Sequence, residues 1–206
     1  MTIQQFANEI GVKTLVHFTR ESNLDSIFER GLVPRNMLEF ERFEGFNDAV
    51  RADRTDAVCV SIGFPNYKMW YQVKEKNKGL DWVVLAIAPR ALWELNCAFC
   101  SANAALAAIA AIPLAQRQTL LAFQGMYADV PGKERARLGI PAWWPTNPQA
   151  EVLMLQGVPR GYILGVITLN PQQDARIKQR YPGVQTQINA AYFRYRKDYE
   201  FWKAGA

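Results

Sequence analysis

The sequence predicts an α+β fold built on a split, mainly antiparallel sheet, and three observations lead there. Short β-branched or aromatic runs recur at residues 15–19, 57–62, 82–88, 151–154 and 162–169. The helical segments between them have uneven lengths, so the regular strand–helix repeat of a doubly wound sheet is missing. No P-loop, paired-glycine dinucleotide fingerprint or internal repeat is found. At 206 residues, half of them apolar and 12% aromatic, the chain reads as one domain, 1–206, with a substantial core.

The first strand, 15–19, ends in a polar step and carries His17, the only histidine, on the same face as Leu15 and Thr19. Its imidazole either ties to a backbone carbonyl at the edge of the core or presents an N–H to a ligand hydroxyl. A helix follows, with Ser22 as its expected cap, Leu24, Ile27 and Phe28 as its apolar stripe and Gly31 as its stop. Residues 35–56 mix charges without a period and read as a long mobile loop, with Arg51 and Arg54 near its end.

The second strand, 57–62, places Ser61 near its end and breaks at Gly63-Phe64-Pro65-Asn66. Such a turn lets the backbone approach a ligand closely. Tyr67 and Tyr71 then share a helical face, which fits either a ring sandwich around a planar heterocycle or a plain core stripe. After the central strand 82–88, CAFC at 97–100 spaces two thiols three apart, with burial favoured over a metal or redox role. An alanine-rich buried helix is expected to end near Pro113. Trp143 and Trp144 precede the next strand and either cap the core or stack on bases.

That next strand is entered from Asn147-Pro148 and begins with an acid, Glu151, ahead of Val152, Leu153 and Met154. A carboxylate at the mouth of an apolar strand is costly to desolvate, and functional sites are where such a cost is accepted. Beyond strand 162–169 come a short helix and a last edge strand at 183–188. Tyr192, Tyr195, Tyr199 and Trp202 step by 3, 4 and 3, predicting a C-terminal aromatic-basic helix over 191–203.

Charge is lopsided: residues 1–103 hold 12 Lys/Arg against 13 Asp/Glu, and residues 104–206 hold 12 against 6. The basic second half suits a polyanion. No stretch is long and apolar enough for a membrane span, and residues 1–10 lack a secretory signal pattern, so a cytoplasmic protein is expected.

Taken in order, LVHFT before NLDSIFERGL, then SIGFPNYKMWY, CAFCSANAA and PTNPQAEVLM resemble the DarT family over residues 11–169. DarT toxins ADP-ribosylate bases in single-stranded DNA using NAD. The resemblance implies an ADP-ribosyltransferase-like β-sheet clamp and a macrodomain antitoxin as partner. It implies that His17 and Thr19 contact the ribose of NAD, that Ser61 and Phe64 to Tyr71, with Asn66, Tyr67 and Tyr71 as cofactor contacts, lie at the nicotinamide end, and that Glu151 is catalytic. Asn66 stands where thymine-modifying members carry a base-activating arginine, leaving Arg51, Arg54 or Lys68 to substitute and the base as thymine or guanine. Lys68, Arg137 and Trp143 are the expected DNA contacts, and no metal is expected. The competing readings are an RNA or protein acceptor and a non-catalytic nucleic-acid binding module.

Overall fold

The computed structural model describes residues 1–38 and 56–203. The loop expected at 35–56 therefore lies largely outside the described residues, and Arg51 and Arg54 lie wholly outside them. In chain order the first elements are α1 (Ile3–Glu9), β1 (Leu15–Arg20), α2 (Leu24–Arg30), β2 (Val58–Ile62), α3 (Tyr67–Lys76) and β3 (Trp82–Ile87). A set of short pieces follows: α4 (Ala91–Glu94), β4 (Cys97–Cys100), α5 (Ala107–Ala110), α6 (Leu114–Arg117), α7 (Leu120–Gly125) and α8 (Arg135–Leu138). The chain then runs through β5 (Glu151–Met154), β6 (Ile163–Thr168), α9 (Pro171–Arg180) and β7 (Thr186–Ile188).

The strands form one seven-stranded sheet in the order β4-β5-β2-β1-β3-β6-β7, antiparallel except for β6 and β7. The pairing is uneven. β1 and β3 pair over six residues, whereas β1 and β2 pair at Leu15↔Ile62 and Val16↔Ser61. Past Val16 the two strands part, and the sheet splits there into a β4-β5-β2 half and a β1-β3-β6-β7 half. The expected split antiparallel clamp is what the chain builds.

One face of both halves is sealed by the largest core cluster, in which Leu15, Ile62, Leu85, Ile87, Val152 and Met154 meet Ile27, Phe123 and Met126 from the helices. A smaller cluster of Val16, Phe18, Trp70, Trp82 and Val84 fixes α3 against the other face. Burying side chains of this size contributes roughly 1.5–3 kcal/mol each.

Local expectations fail in three places, each time where a tertiary contact outweighs local preference. Ser22 caps no helix; it sits inside a 3-10 turn, Glu21–Asn23, that runs straight into α2. The alanine-rich tract forms only the single turn α5, and Leu106, Ala107, Ala108 and Ala110 are exposed rather than buried. Ahead of it the chain is held extended as β4, beside β5. The aromatic-basic C-terminus is not one helix but two 3-10 turns, Ala190–Phe193 and Tyr199–Trp202. Between them Arg196 is buried, donating to the carbonyls of Pro145 (2.9 Å) and Thr146 (2.7 Å) and pairing with Asp198. Those carbonyls belong to the loop that enters β5, so the C-terminal segment braces the strand that begins with Glu151.

Candidate active site

Where the sheet splits, a cleft opens, lined by Val16, His17, Phe18 and Thr19 of β1 and by Cys59 and Ser61 of β2. Asn66, Met69 and Glu151 line it too, as do Asn23, Ser26 and Arg35 from the segment after β1. Pairing in β2·β5 runs to Val60↔Val152, so one step further along the same register Ser61 stands opposite Glu151.

Glu151 is buried, 4% exposed, yet lines this cleft. Its two oxygens are held separately: Asn66 Nδ2 donates to Oε1 (3.3 Å) and the Ala104 backbone N–H donates to Oε2 (2.8 Å). Two fixed donors offset much of the desolvation that a buried carboxylate suffers. Asn66 is itself pinned, because its Oδ1 caps α3 by accepting from Met69 N at 3.2 Å. The amide is thus oriented by the helix end, and it in turn orients the acid.

His17 reaches across the split. Its Nδ1 lies 2.8 Å from the Cys59 carbonyl, and a carbonyl only accepts, so Nδ1 carries the proton. The ring N–H at Nδ1 is therefore engaged by that carbonyl. Both sequence alternatives are combined here: the imidazole ties to a backbone carbonyl and still faces the cleft. Thr19 is buried, its hydroxyl accepting from Asn23 Nδ2 at 3.1 Å. The Asn23 Oδ1 is buried without a hydrogen-bond partner among the described residues, an acceptor suited to a ligand amide or hydroxyl.

The walls of the split thus carry one fixed carboxylate, one imidazole tied to a backbone carbonyl and one orphaned amide oxygen. A model of the DarT family, described as ssDNA thymidine ADP-ribosyltransferase, matches residues 16–196. The chain belongs to the DarT family. Among solved structures it is similar to Thermosipho africanus DarTG in complex with ADP-ribose, with a TM-score of 0.59 and 16% identity over 88% of this chain; it spans 51% of that chain. It is similar also to Thermus sp. 2.9 DarT in complex with carba-NAD+, with a TM-score of 0.61 and 14% identity over 88% of this chain and 97% of that one. The Thermus protein in complex with ADP-ribosylated ssDNA gives a TM-score of 0.54 at 14% identity, covering 88% and 96%. No match is found among curated proteins.

Of the residues that the DarT resemblance points to, His17, Thr19, Ser61, Asn66 and Glu151 line one cleft. Tyr67 and Tyr71 are not among its lining residues. Tyr67 is buried edge-on against Tyr195 and Tyr199, and Tyr71 packs beside Tyr195. The reason is rotational: Asn66 and Met69 turn one side of α3 to the cleft, which leaves Tyr67 and Tyr71 for the C-terminal segment.

Trp143 and Trp144 cap the Gly63 turn rather than stand open. A Cβ at Gly63, whose φ is +77°, would lie 2.3 Å from the Trp143 ring and 2.5 Å from that of Trp144. The close approach expected of this turn is to two indoles, not to a ligand. Arg137 is exposed beside Glu134 (3.4 Å), outside the cleft lining. Lys68 is half-buried at the start of α3, and burial, then repulsion from Lys133, lowers the pKa of its amine.

The two CAFC thiols face opposite sides of β4, as alternation in a strand requires, and burial pushes the Cys97 thiol up to about 12. Ala104 escaped sequence reasoning because a backbone donor has no side-chain signature. Asn23 and Arg35 had a signal, as polar side chains flanking α2, but not one that separates them from solvated neighbours. Among the described residues no group of three or more His, Cys, Asp or Glu is placed to hold a metal, and no helix is long and apolar enough to cross a membrane.

Proposed function

We propose that this chain transfers ADP-ribose from NAD to a base of single-stranded DNA, with thymidine as the acceptor. The observation that carries the reading is the carboxylate of Glu151, fixed at both oxygens and lining the same cleft as His17. The family description supports the substrate pair, as do the Thermus sp. 2.9 DarT complexes with NAD+ and with ADP-ribosylated ssDNA.

NAD supplies an activated ribose whose C1′ bond to nicotinamide breaks, the electron pair leaving with the pyridine nitrogen. Glu151 places negative charge where the sugar becomes electron-poor and accepts from the ribose 2′-hydroxyl. His17 faces the ribose from β1, and Thr19, Ser61 and Asn23 Oδ1 lie where they can fix its hydroxyls. Arg35 faces the same cleft and suits the diphosphate. As C1′ bonds to a base nitrogen, that nitrogen gives up its proton to solvent, a loss that a cationic neighbour eases by stabilising the deprotonated base. Arg51 and Arg54 are the residues we assign to that task. Unpaired bases suit this chemistry because no flipping cost is incurred. Lys68, with Lys133 nearby, supplies positive charge beside the α3 end of the cleft for the DNA backbone.

In the cell we read the protein as a cytoplasmic toxin restrained by a macrodomain-type antitoxin. The test mixes protein, NAD and single-stranded oligonucleotides that differ in base, with products read by mass spectrometry. The expected gain is one ADP-ribose on thymidine-containing DNA. In Glu151→Gln the rate should fall at least 10²- to 10³-fold, as for losing one preorganised transition-state contact. Transfer to RNA or protein but to no DNA would overturn the acceptor, and a fully active Glu151→Gln would overturn the site.

A further inference from the structure

Away from the cleft, α3 and the C-terminal segment enclose a groove lined by Tyr67, Trp70, Tyr71, Lys74, Arg194 and Tyr195, together with Phe193. Five of these seven are aromatic, two are basic and none is acidic. Tyr67 and Trp70 are buried and form the floor, whereas Tyr71 (47%) and Tyr195 (46%) are nearly half exposed. Tyr195 stacks on Tyr199 with centroids 4.2 Å apart and planes at 14°, and its ring centroid lies 5.9 Å from that of Tyr71. Core packing does not require two tyrosines to stand half in solvent over an aromatic floor. Glu75 is the nearby acid, and it pairs outward with Lys78.

We propose that this groove is a second binding site for the single strand, where a nucleotide flanking the modified base stacks on Tyr71 and Tyr195. This rests on the DNA-modifying reading above. Bases of any identity stack on tyrosine, and the strand's phosphates find Arg194 at the groove, with added positive charge from Lys74, whose amine donates to the Phe193 carbonyl (3.2 Å). A polyanion is favoured over an apolar protein surface because the groove is cationic as well as aromatic. Position supports the assignment: Asn66, at the N-terminal end of α3, touches Glu151, and Tyr71 lies five residues on, about 7.5 Å along the axis. The other wall is carried by the segment that Arg196 fastens to the loop entering β5. The platform is thus joined rigidly to the catalytic strand from two sides.

The experiment compares the parent with Tyr71→Ala/Tyr195→Ala and Tyr71→Phe/Tyr195→Phe. Fluorescence anisotropy reads binding of labelled oligo-dT without NAD, and initial rates read KM for targets with and without flanking nucleotides. The alanine pair should weaken oligo-dT binding and raise KM for flanked targets roughly 5- to 150-fold, the range for one lost stacked base. KM for NAD should stay at the parental value. The phenylalanine pair, which keeps the rings and loses the hydroxyls, should behave like the parent. If the alanine pair does not fold, Tyr71→Ala alone carries the test. Parental binding and KM in the alanine pair, or a phenylalanine pair as weak as the alanine pair, would overturn the platform. A parent that binds oligo-dT through these tyrosines and modifies no DNA leaves the platform standing and sinks the DNA-modifying reading.

Discussion

Replacing Asn66 separates two jobs that one side chain performs, since its oxygen caps α3 and its nitrogen holds Glu151. Asn66→Asp keeps the cap but sets a second carboxylate against the first. Asn66→Ala loses both contacts. We expect Asn66→Ala to cost about 0.5–2 kcal/mol in chemical denaturation, the usual range for a lost cap. Asn66→Asp should stay near parental stability on the cap side yet lose at least tenfold in kcat at neutral pH, recovering part of it as the pH falls and one acid is protonated. A cap-competent aspartate with full activity would show that Asn66 does not orient the acid. At this scale the sequence was informative where a residue broke its local pattern: Glu151 is an acid opening an apolar strand, and His17 a lone imidazole on a strand face. It was silent on the Ala104 N–H, and it could not tell that Asn66 serves the carboxylate where an arginine had been sought.

Among the elements, the turn between β2 and α3 is the one least tolerant of change. Gly63 adopts φ +77° under the Trp143 and Trp144 rings, so Gly63→Ala combines backbone strain with an overlap that two packed indoles cannot relieve. A loss of about 2–4 kcal/mol is expected, seen as a lower denaturant midpoint with unchanged slope. Strands were legible as elements because alternation and β-branching survive any context. The C-terminal helix was not, although its aromatic spacing was ideal. Arg196 gains a bidentate buried partner in Asp198 and two carbonyl acceptors where the helix is interrupted by a turn, Tyr199 N bonding back to Arg196 O, and local propensity is worth less than that network. The CAFC run was ambiguous for a related reason: a four-residue strand is too short to show its period.

For the whole molecule, the fold class was readable from the unequal spacing of strands, but strand order was not, because it depends on pairings between distant residues, such as Val58 with Met154 and Val84 with Ile167. Gln173 and Arg176 likewise reach far back along the chain, to Glu21. That last cluster ties α9 to the end of β1. The hydrogen bond from Arg176 is the largest influence and holds the Glu21 carboxyl below its usual value, against the desolvation that raises it. A carboxyl whose pKa is lowered by folding stabilises the protein above its unfolded value, about 4.3, and that contribution is lost as pH falls through the folded value. Thermal melts of Glu21→Gln should therefore lie below the parent at neutral pH, with the gap closing below about pH 4. The basic excess of the second half acts at the same scale: affinity for single-stranded DNA should fall steeply with added salt, log K against log salt giving a straight line.

The stitch between β1 and β2, two residue pairs long, acts as the fulcrum of the clamp. Neighbouring strands are rotated by some 20–25° as a matter of course. A small change in that angle swings His17 and Glu151, on opposite arms, by more than it moves anything at the pivot. Aperture and chemistry are therefore set largely by different residues: buried Leu15 and Ile62 govern how wide the jaws stand, and the side chains along the jaws govern what happens between them. Relatives of this chain can diverge in the span they grip while leaving every gripping group in place.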